Sequence, residues 1–201
     1  MNYTGPKVRL SRKINVMLTP KAKKVTANGK NYAPGQHGPS KKRSKLSDYG
    51  KQLLEKQRLR LQYNVNEKKL SSYYKEASRL TGNTGELLVQ LLETRLDALI
   101  YRAGFSRTLY AAKQLISHGH IFVNGKKLDI SSYKVKLQDT VSVKPKSRTN
   151  DNIQESLRNT VAPPYMEVNK ADFAFKLLYA PLLNEVPIQC EVPLVVEYYS
   201  R

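Results

Sequence analysis

The chain has 201 residues, 40% of them hydrophobic, with 35 Lys or Arg against 16 Asp or Glu, a formal charge of +19 and a pI near 10.0. That length holds one or two small domains, and that charge implies a polyanionic partner, nucleic acid ahead of an anionic membrane. No apolar run approaches the ~20 residues of a membrane span, the opening MNYTGPKVRLSRK lacks the apolar stretch of a secretory signal, and Cys190 alone excludes an intrachain disulfide or a Cys-based zinc cluster, which fits a reducing, intracellular setting.

The charge is uneven. Residues 1–45 carry twelve Lys or Arg and no acid, residues 46–150 nineteen against nine, and residues 151–201 four against seven. An RNA partner is therefore expected against the first three quarters of the chain, with the tail packed on protein. Gly5, Pro6, Pro20, Gly29, Pro34, Gly35, Gly38 and Pro39 interrupt every periodic run in residues 1–45. This segment reads as an extended basic arm that is unable to fold alone and is ordered by phosphate counter-charge.

From Leu46 the pattern becomes helical. Ser47 or Asp48 can cap a helix whose inner positions include Leu53, Leu54, Gln57, Leu61 and Tyr63, while Lys51, Lys56, Arg58 and Arg60 occupy its other face. A second helix is predicted from about Asn66 to Leu80, ended by Thr81-Gly82-Asn83-Thr84-Gly85. Tyr63, Tyr73 and Tyr74 have the rings to stack on bases, but at this spacing they read as core or rim residues.

Leu92, Leu96, Leu99 and Ala103 then recur at three- and four-residue intervals, which predicts one helical face ended by Gly104 at positive φ. Thr108 can cap a second short helix with Ala112, Leu115 and Ile116 inward, ending at His118-Gly119. Ile121-Phe122-Val123 runs into Asn124-Gly125, a strong hairpin signal. Arg95, Arg102, Arg107, Lys113, Lys126 and Lys127 do not follow the apolar positions and are expected outside, as phosphate contacts. Residues 131–145 read as strands, 150–159 as a helix, and 165–168 and 176–178 as short strand-like pieces. The last ten residues are ambiguous: their β-branched Val and aromatic Tyr favour a strand, and Pro193 at a first helical position favours a helix.

RLDALIYRAGF at 95–105 and KQLISHGHIFVNGKKLDI at 113–130 together resemble the S4-type RNA-binding module. That module's second helix usually begins Ser-Arg. Here the positions hold Thr108 and Leu109, so that arginine's contact is not carried over, and Arg107 is the nearby substitute. With YTGPK at 3–7, APGQHG at 33–38, KLSDYGKQLLEKQRLR at 45–60, YYKEASRLTGNTGE at 73–86 and VEYYSR at 196–201, the whole chain resembles the ribosomal protein uS4 family.

The resemblance implies an α+β fold. An extended basic segment (1–45) precedes a helical domain (46–92), to or near which a tail (155–201) returns, and an S4 module (93–154) of two helices and a small antiparallel sheet is inserted. It favours a short helix for residues 192–200. It implies direct binding of 16S-type rRNA, nucleation of the body of the small (30S) subunit, and contact with proteins uS5 and uS3 in translational accuracy and where mRNA enters. The candidate rRNA contacts are Lys7, Arg9, Arg12, Lys13, Gln36 and His37 in the arm; Lys51, Lys56, Arg58 and Arg60 in the helical domain; and Arg95, Arg102, Arg107, Lys113, Gln114, His118, His120, Asn124, Lys126 and Lys127 in the module. Lys41, Lys42, Arg43 and Lys45 are the candidates for facing incoming mRNA. Many family members hold zinc on four cysteines near the N-terminus. The first two positions fall here on Val8 and Ser11, so neither zinc nor any cofactor is expected.

No catalytic constellation is visible. Gly119 and Gly125-Lys126 are spaced one residue too widely for a phosphate-binding loop, with Lys127 at its Ser/Thr position. The three histidines have no metal-ligand spacing with carboxylates, and the chain leaves no room for the catalytic domain of an RNA-modifying enzyme. A free regulator of a structured mRNA leader would use the same residues, and co-sedimentation with 30S particles distinguishes the two. The expected location is the cytoplasm, on a ribosome, with an organellar ribosome left open.

Overall fold

The computed structural model describes residue 3, residues 5–40 and residues 46–201. In chain order the helices are α1 (Lys7–Ile14), α2 (Pro20–Ala27), α3 (Asp48–Gln62), α4 (Glu67–Ala77), α5 (Thr84–Glu93), α6 (Leu96–Arg102), α7 (Leu109–Ser117), α8 (Asp151–Asn159) and α9 (Val192–Tyr199). The strands are β1 (Ile121–Val123), β2 (Lys126–Lys127), β3 (Thr140–Val143), β4 (Met166–Asn169) and β5 (Ala174–Leu177), so the fold is α+β. The chain divides into two compact units. One runs to Gly85 and resumes with Ile188–Arg201, and the other is Glu86–Pro187.

In the first unit, residues 7–27 are helical, which corrects the expectation of an extended arm. Pro20 is a helix starter and not a breaker: its missing N–H costs nothing in the first turn, and the Thr19 hydroxyl accepts from the Ala22 N–H. Ile14, Val16 and Leu61 form a small apolar cluster with Leu10, Leu18 and Leu54 packed against it, so the arm has a core of its own on α3. Burial of each such side chain contributes roughly 1.5–3 kcal/mol. Ser11, fully buried, donates to the Lys7 carbonyl (3.0 Å) and accepts from the Leu18 N–H (3.3 Å), tying α1 to the chain that follows it. The APGQHG segment turns so tightly that a Cβ on Gly38 would lie 2.0 Å from the Ala33 carbonyl oxygen, a position only glycine fills.

The last residues form α9, with Pro193 in its first turn. Helix α9 is fixed to α3 and α4 through polar groups. Gln52 donates to Glu197 (2.9 Å), the Glu191 N–H donates to Glu55 Oε2 (3.0 Å), and Gln62 and the Gln189 backbone exchange two hydrogen bonds. Glu67 accepts from Tyr199 Oη (2.7 Å) and Lys56 Nζ (2.9 Å), and the Tyr199 ring stacks on Tyr74 at 4.9 Å. Burial acts to raise the Glu67 pKa, but those two donors outweigh it and hold the carboxyl below its ordinary value. Tyr63 and Tyr73 are buried in this unit.

In the second unit the helical face predicted from Leu92 to Ala103 breaks. Leu92 ends its run in α5, and Leu96 and Leu99 belong to α6. At the break the backbone pairs with residues 131–135: the Leu96 N–H donates to the Tyr133 carbonyl (2.9 Å) and the Val135 N–H to the Thr94 carbonyl (3.0 Å). This claims the stretch 133–136, whose alternation predicted a strand; it makes a single bridge, Arg95 with Lys134. Gly104 has φ +82° and the Thr108 hydroxyl caps α7 by accepting from the Ala111 N–H (3.1 Å), both as predicted.

The sheet is antiparallel, in the order β2-β1-β3-β5-β4. Asn124 (φ 50°) and Gly125 (φ 78°) make the two-residue turn of the β1–β2 hairpin. Ile121, Val123, Val141, Val143, Phe175 and Leu177 are all buried, and the Phe105 and Phe175 rings meet at 5.8 Å. Strands β4 and β5, and with them residues 155–187, belong to this unit. The segment that rejoins the helical unit therefore begins at Ile188 and not at 155.

Candidate nucleic-acid interface

Candidate cations divide into those drawn into the fold by a carboxylate or carbonyl of the chain and those that stay at its surface. In the module the first group is centred on Asp97. Its carboxylate is buried and receives Arg95 through both Nε (3.0 Å) and Nη2 (2.8 Å), with the Ala98 N–H at 2.9 Å and Lys113 Nζ at 3.4 Å. Arg95 is 4% exposed. Burial lowers the pKa of the Lys113 ammonium, and the Asp97 carboxylate works against that shift. Arg102 donates to Glu93 (2.5 Å), which is wholly buried and also accepts from Tyr165 Oη (2.7 Å). Burial, reinforced by Glu93, drives the Tyr165 pKa upward. Arg95, Arg102 and Lys113 were expected on the outside. They instead hold α5, α6, α7 and the segment before β4 together, because a buried guanidinium or ammonium requires a carboxylate partner.

The helical unit shows the same correction. Lys56 is 4% exposed, bound to Glu67, with its ammonium 4.7 Å from the Tyr198 ring centroid. Arg58 donates to Glu55 (2.5 Å) and to the Ile14 carbonyl (2.9 Å), and Arg60 lies 3.7 Å from Glu67. Lys51 is exposed beside Asp48 (2.9 Å). Arg12 is turned inward on the loop, donating to the Tyr32 and Ala33 carbonyls with its guanidinium over the Tyr32 ring. Lys7 is half-buried. Asn124 spends its amide on the hairpin, donating to Asp139 (2.8 Å) and accepting from the Thr140 N–H (2.9 Å).

The second group is exposed. Arg9 and Lys13 stand one turn apart on α1, without an ion pair among the described residues, and Gln36 and His37 project from the glycine-rich turn. In the module, Lys126 and Lys127 are exposed on β2. A Cβ on Gly119 would lie 2.2 Å from Lys127 Cε, so the Lys127 stem crosses the end of α7 between His118 and His120. A cation there also suits the partial negative charge of a helix C-terminus. Arg107, Gln114, His118 and His120 line one recess of about 330 Å³, with Phe105, Ala111, Leu115 and Ile153 as its apolar part and Asn150 and Asn152 on its far side. Arg107 there is paired with Glu155. His120 Nδ1 lies 2.8 Å from Ser147 Oγ. The structure thus gathers four of the module's predicted residues round one cavity.

One surface escaped the sequence reading. Lys68, Lys75 and Arg79, with Ser71, Ser72, Glu76 and Leu80, border a cavity of about 700 Å³ on the outer side of α4. Lys68 and Lys75 lie seven residues apart, two turns of one helical face, which was the available signal. Lys41, Lys42, Arg43 and Lys45 lie outside the described residues. The N-terminal positions expected for zinc-ligating cysteines hold Val8 and Ser11, which do not fit the metal, and among the described residues no group of three His, Cys, Asp or Glu is placed to hold one. No helix among the described residues is long and apolar enough to cross a membrane.

Comparison with known proteins agrees along the whole chain. Residues 2–93 match the family described as ribosomal protein S4/S9 N-terminal domain, and residues 94–141 match the S4 domain. The small ribosomal subunit protein uS4 of Streptomyces avermitilis is 45% identical over 205 residues, covering 100% of this chain and 99% of its own length. The uS4 proteins of Clavibacter sepedonicus (46% over 203 residues, 98% and 96%) and Geobacillus sp. strain WCH70 (43% over 200 residues, 99% and 98%) are similar to the same extent. These relatives carry the names of ribosomal constituents and not of enzymes. The chain belongs to the small ribosomal subunit protein uS4 family.

Proposed function

We propose that this protein is a structural constituent of the small ribosomal subunit that binds 16S-type rRNA directly, and that the body of the subunit assembles on that complex. The observation that carries the reading is full-length identity above 40% to proteins named small ribosomal subunit protein uS4. The geometry supports it through cations that the fold does not consume: Arg9 and Lys13 on α1, Lys126 and Lys127 at the hairpin, and Lys68, Lys75 and Arg79 beside α4.

The mechanism is charge neutralisation. Surplus ammonium and guanidinium groups bridge phosphates of RNA helices that otherwise repel one another, and each contact releases condensed counterions. Recognition is mainly of folded RNA shape, since a side chain cannot read the deep major groove of an A-form helix. Contact with uS5 and uS3, a part in translational accuracy, and the facing of incoming mRNA by Lys41, Lys42, Arg43 and Lys45 complete the proposal.

Filter binding of the purified chain to a 16S-type 5′-domain transcript tests it. With six or more phosphate contacts, affinity falls by roughly 10³-fold or more between 50 and 200 mM salt. Salt-independent binding, or absence of the protein from 30S fractions of its own cells, overturns the reading.

A further inference from the structure

The recess between α7 and the start of α8 is built differently from the rest of the cationic surface. Phe105 and Ile153 are sealed beneath it, and Ala111 and Leu115 flank it, so its inner part is apolar. Its rim carries three side-chain amides, those of Gln114, Asn150 and Asn152. The Asn150 Oδ1 caps α8 by accepting from the Asn152 N–H (3.0 Å). The Gln114 and Asn152 side chains have no hydrogen-bond partner among the described residues, nor does the Asn150 NH₂ group. His118 and His120 add two rings tilted 48° with centroids 6.1 Å apart. Arg107 stands at it paired with Glu155, whose carboxylate is not itself among the described residues that line the recess.

A phosphate is not what this cavity suits. An anion needs donors and water around it, and an apolar floor supplies neither. A planar, uncharged group with hydrogen-bonding edges suits both the floor and the rim. The Gln114 and Asn152 amides each present donors and an acceptor, as does the Watson–Crick edge of a base, and Asn150 adds its NH₂ group. Single-stranded RNA offers such groups when a base leaves its stack, and proteins read RNA sequence at those positions.

We propose that this recess receives the base of one unpaired nucleotide of the bound RNA. The apolar floor lies under the base, Gln114 and Asn152 meet its edge, and Arg107 and Lys127 take the phosphates on either side. The protein would thus read base identity at one point within a complex otherwise governed by backbone charge. This inference rests on the RNA-binding reading of the same surface.

The test uses the full chain and the 16S-type 5′-domain transcript. Ala111→Leu fills the recess. Gln114→Ala removes one exposed amide without touching the core. Base-edge chemical probing with dimethyl sulfate and a carbodiimide is run beside hydroxyl-radical footprinting of the backbone. Wild-type protein is expected to protect the edge of one unpaired nucleotide. Both variants lose that protection and bind about tenfold more weakly, while the backbone footprint and salt dependence persist. If Ala111→Leu loses the backbone footprint as well, Gln114→Ala decides alone. Unchanged base-edge protection in Gln114→Ala, or none in the wild type despite a backbone footprint, overturns the inference. Absence of any salt-sensitive footprint overturns instead the RNA-binding reading beneath it.

Discussion

Arg107 Nη2 donates to the Glu155 Oε2 carboxylate, which holds a cation of the α7 recess against the side of α8. Both side chains keep about half of their exposure, 43% and 59%, so the pair contributes at most about 1 kcal/mol to the fold. If Arg107 contacts phosphate as proposed, the pair's larger effect is on binding, because Glu155 would compete for the guanidinium. Glu155→Gln is therefore expected to leave stability within ~1 kcal/mol. It should raise RNA affinity about threefold at 100 mM salt and steepen the salt slope by about one. Filter binding across a salt series measures this. Identical slopes and affinities for both proteins would mean that Glu155 does not compete with phosphate for Arg107.

Asp97 behaves oppositely. Its carboxylate is buried and answers both Arg95 and Lys113. Asp97→Asn keeps the volume and removes the carboxylate charge that both buried cations face, at a cost of roughly 3–5 kcal/mol. Urea unfolding should show this as a midpoint shift with an unchanged slope. The RNA affinity of the remaining folded protein should stay the same, since Arg95 faces the core and not the partner. A loss below ~1 kcal/mol would show that the ion pairs do not hold the helix break together.

The contrast between Arg95 and Lys126 marks the limit of sequence reading here. Both sit off the apolar stripe, and periodicity places both outside. What buries Arg95 is the break between α5 and α6, where the backbone turns to pair with residues 131–135 and carries the side chain onto Asp97. No local pattern encodes that pairing. The same holds for β3 beside β5, partners more than thirty residues apart in the chain. Local chemistry was legible: the Ser47 and Thr108 caps, Gly104 and Asn124-Gly125 all act as their residue types require. Thr19-Pro20 was legible too, as a cap followed by a proline in the first turn, but the density of Gly and Pro around it suggested a coil. Within the recess, the α7 residues could be found from their spacing, whereas Asn150, Asn152 and Ile153 reach it only through the fold.

Cys190 gives a pH dependence with a definite sign. Burial, reinforced by the nearby Glu55 carboxylate, pushes its thiol up to about 12 from an ordinary 9.0, and Sγ donates to the Glu55 carbonyl (3.4 Å). The folded chain thus holds this proton in a range where the unfolded chain releases it. The associated stability is fully present below pH 9 and is lost as pH rises from 9 towards about 12. Tyr165 and Tyr199, also raised from 10.0, add to the loss at higher pH. Thermal melts should therefore fall from pH 8.5 to pH 10, and Cys190→Ala should remove the part of the decline that begins near pH 9. At pH 8 the thiol should react with iodoacetamide far more slowly than a free cysteine, because the thiolate is the nucleophile. Equal alkylation rates in folded and denatured protein would contradict this placement.

Lys68 and Lys75 share one face of α4, and Arg79 follows just past its end. All three are exposed, and none has an ion pair among the described residues. Folding does not explain them, since a cation left in water contributes little stability. A polyanion does explain them, as repeated positive charge along one helix gives phosphates a row of partners. Replacing all three with Ala should leave the melting temperature nearly unchanged. Affinity for the 16S-type transcript should weaken, with the salt slope falling by up to about three, one for each phosphate no longer neutralised. Lys126→Ala with Lys127→Ala, in the other unit, should lower the slope by about two. If the two sets act on separate phosphates their effects add, and the five-fold variant shows the sum. A triple variant with the wild-type slope would leave the α4 face as a solvated surface.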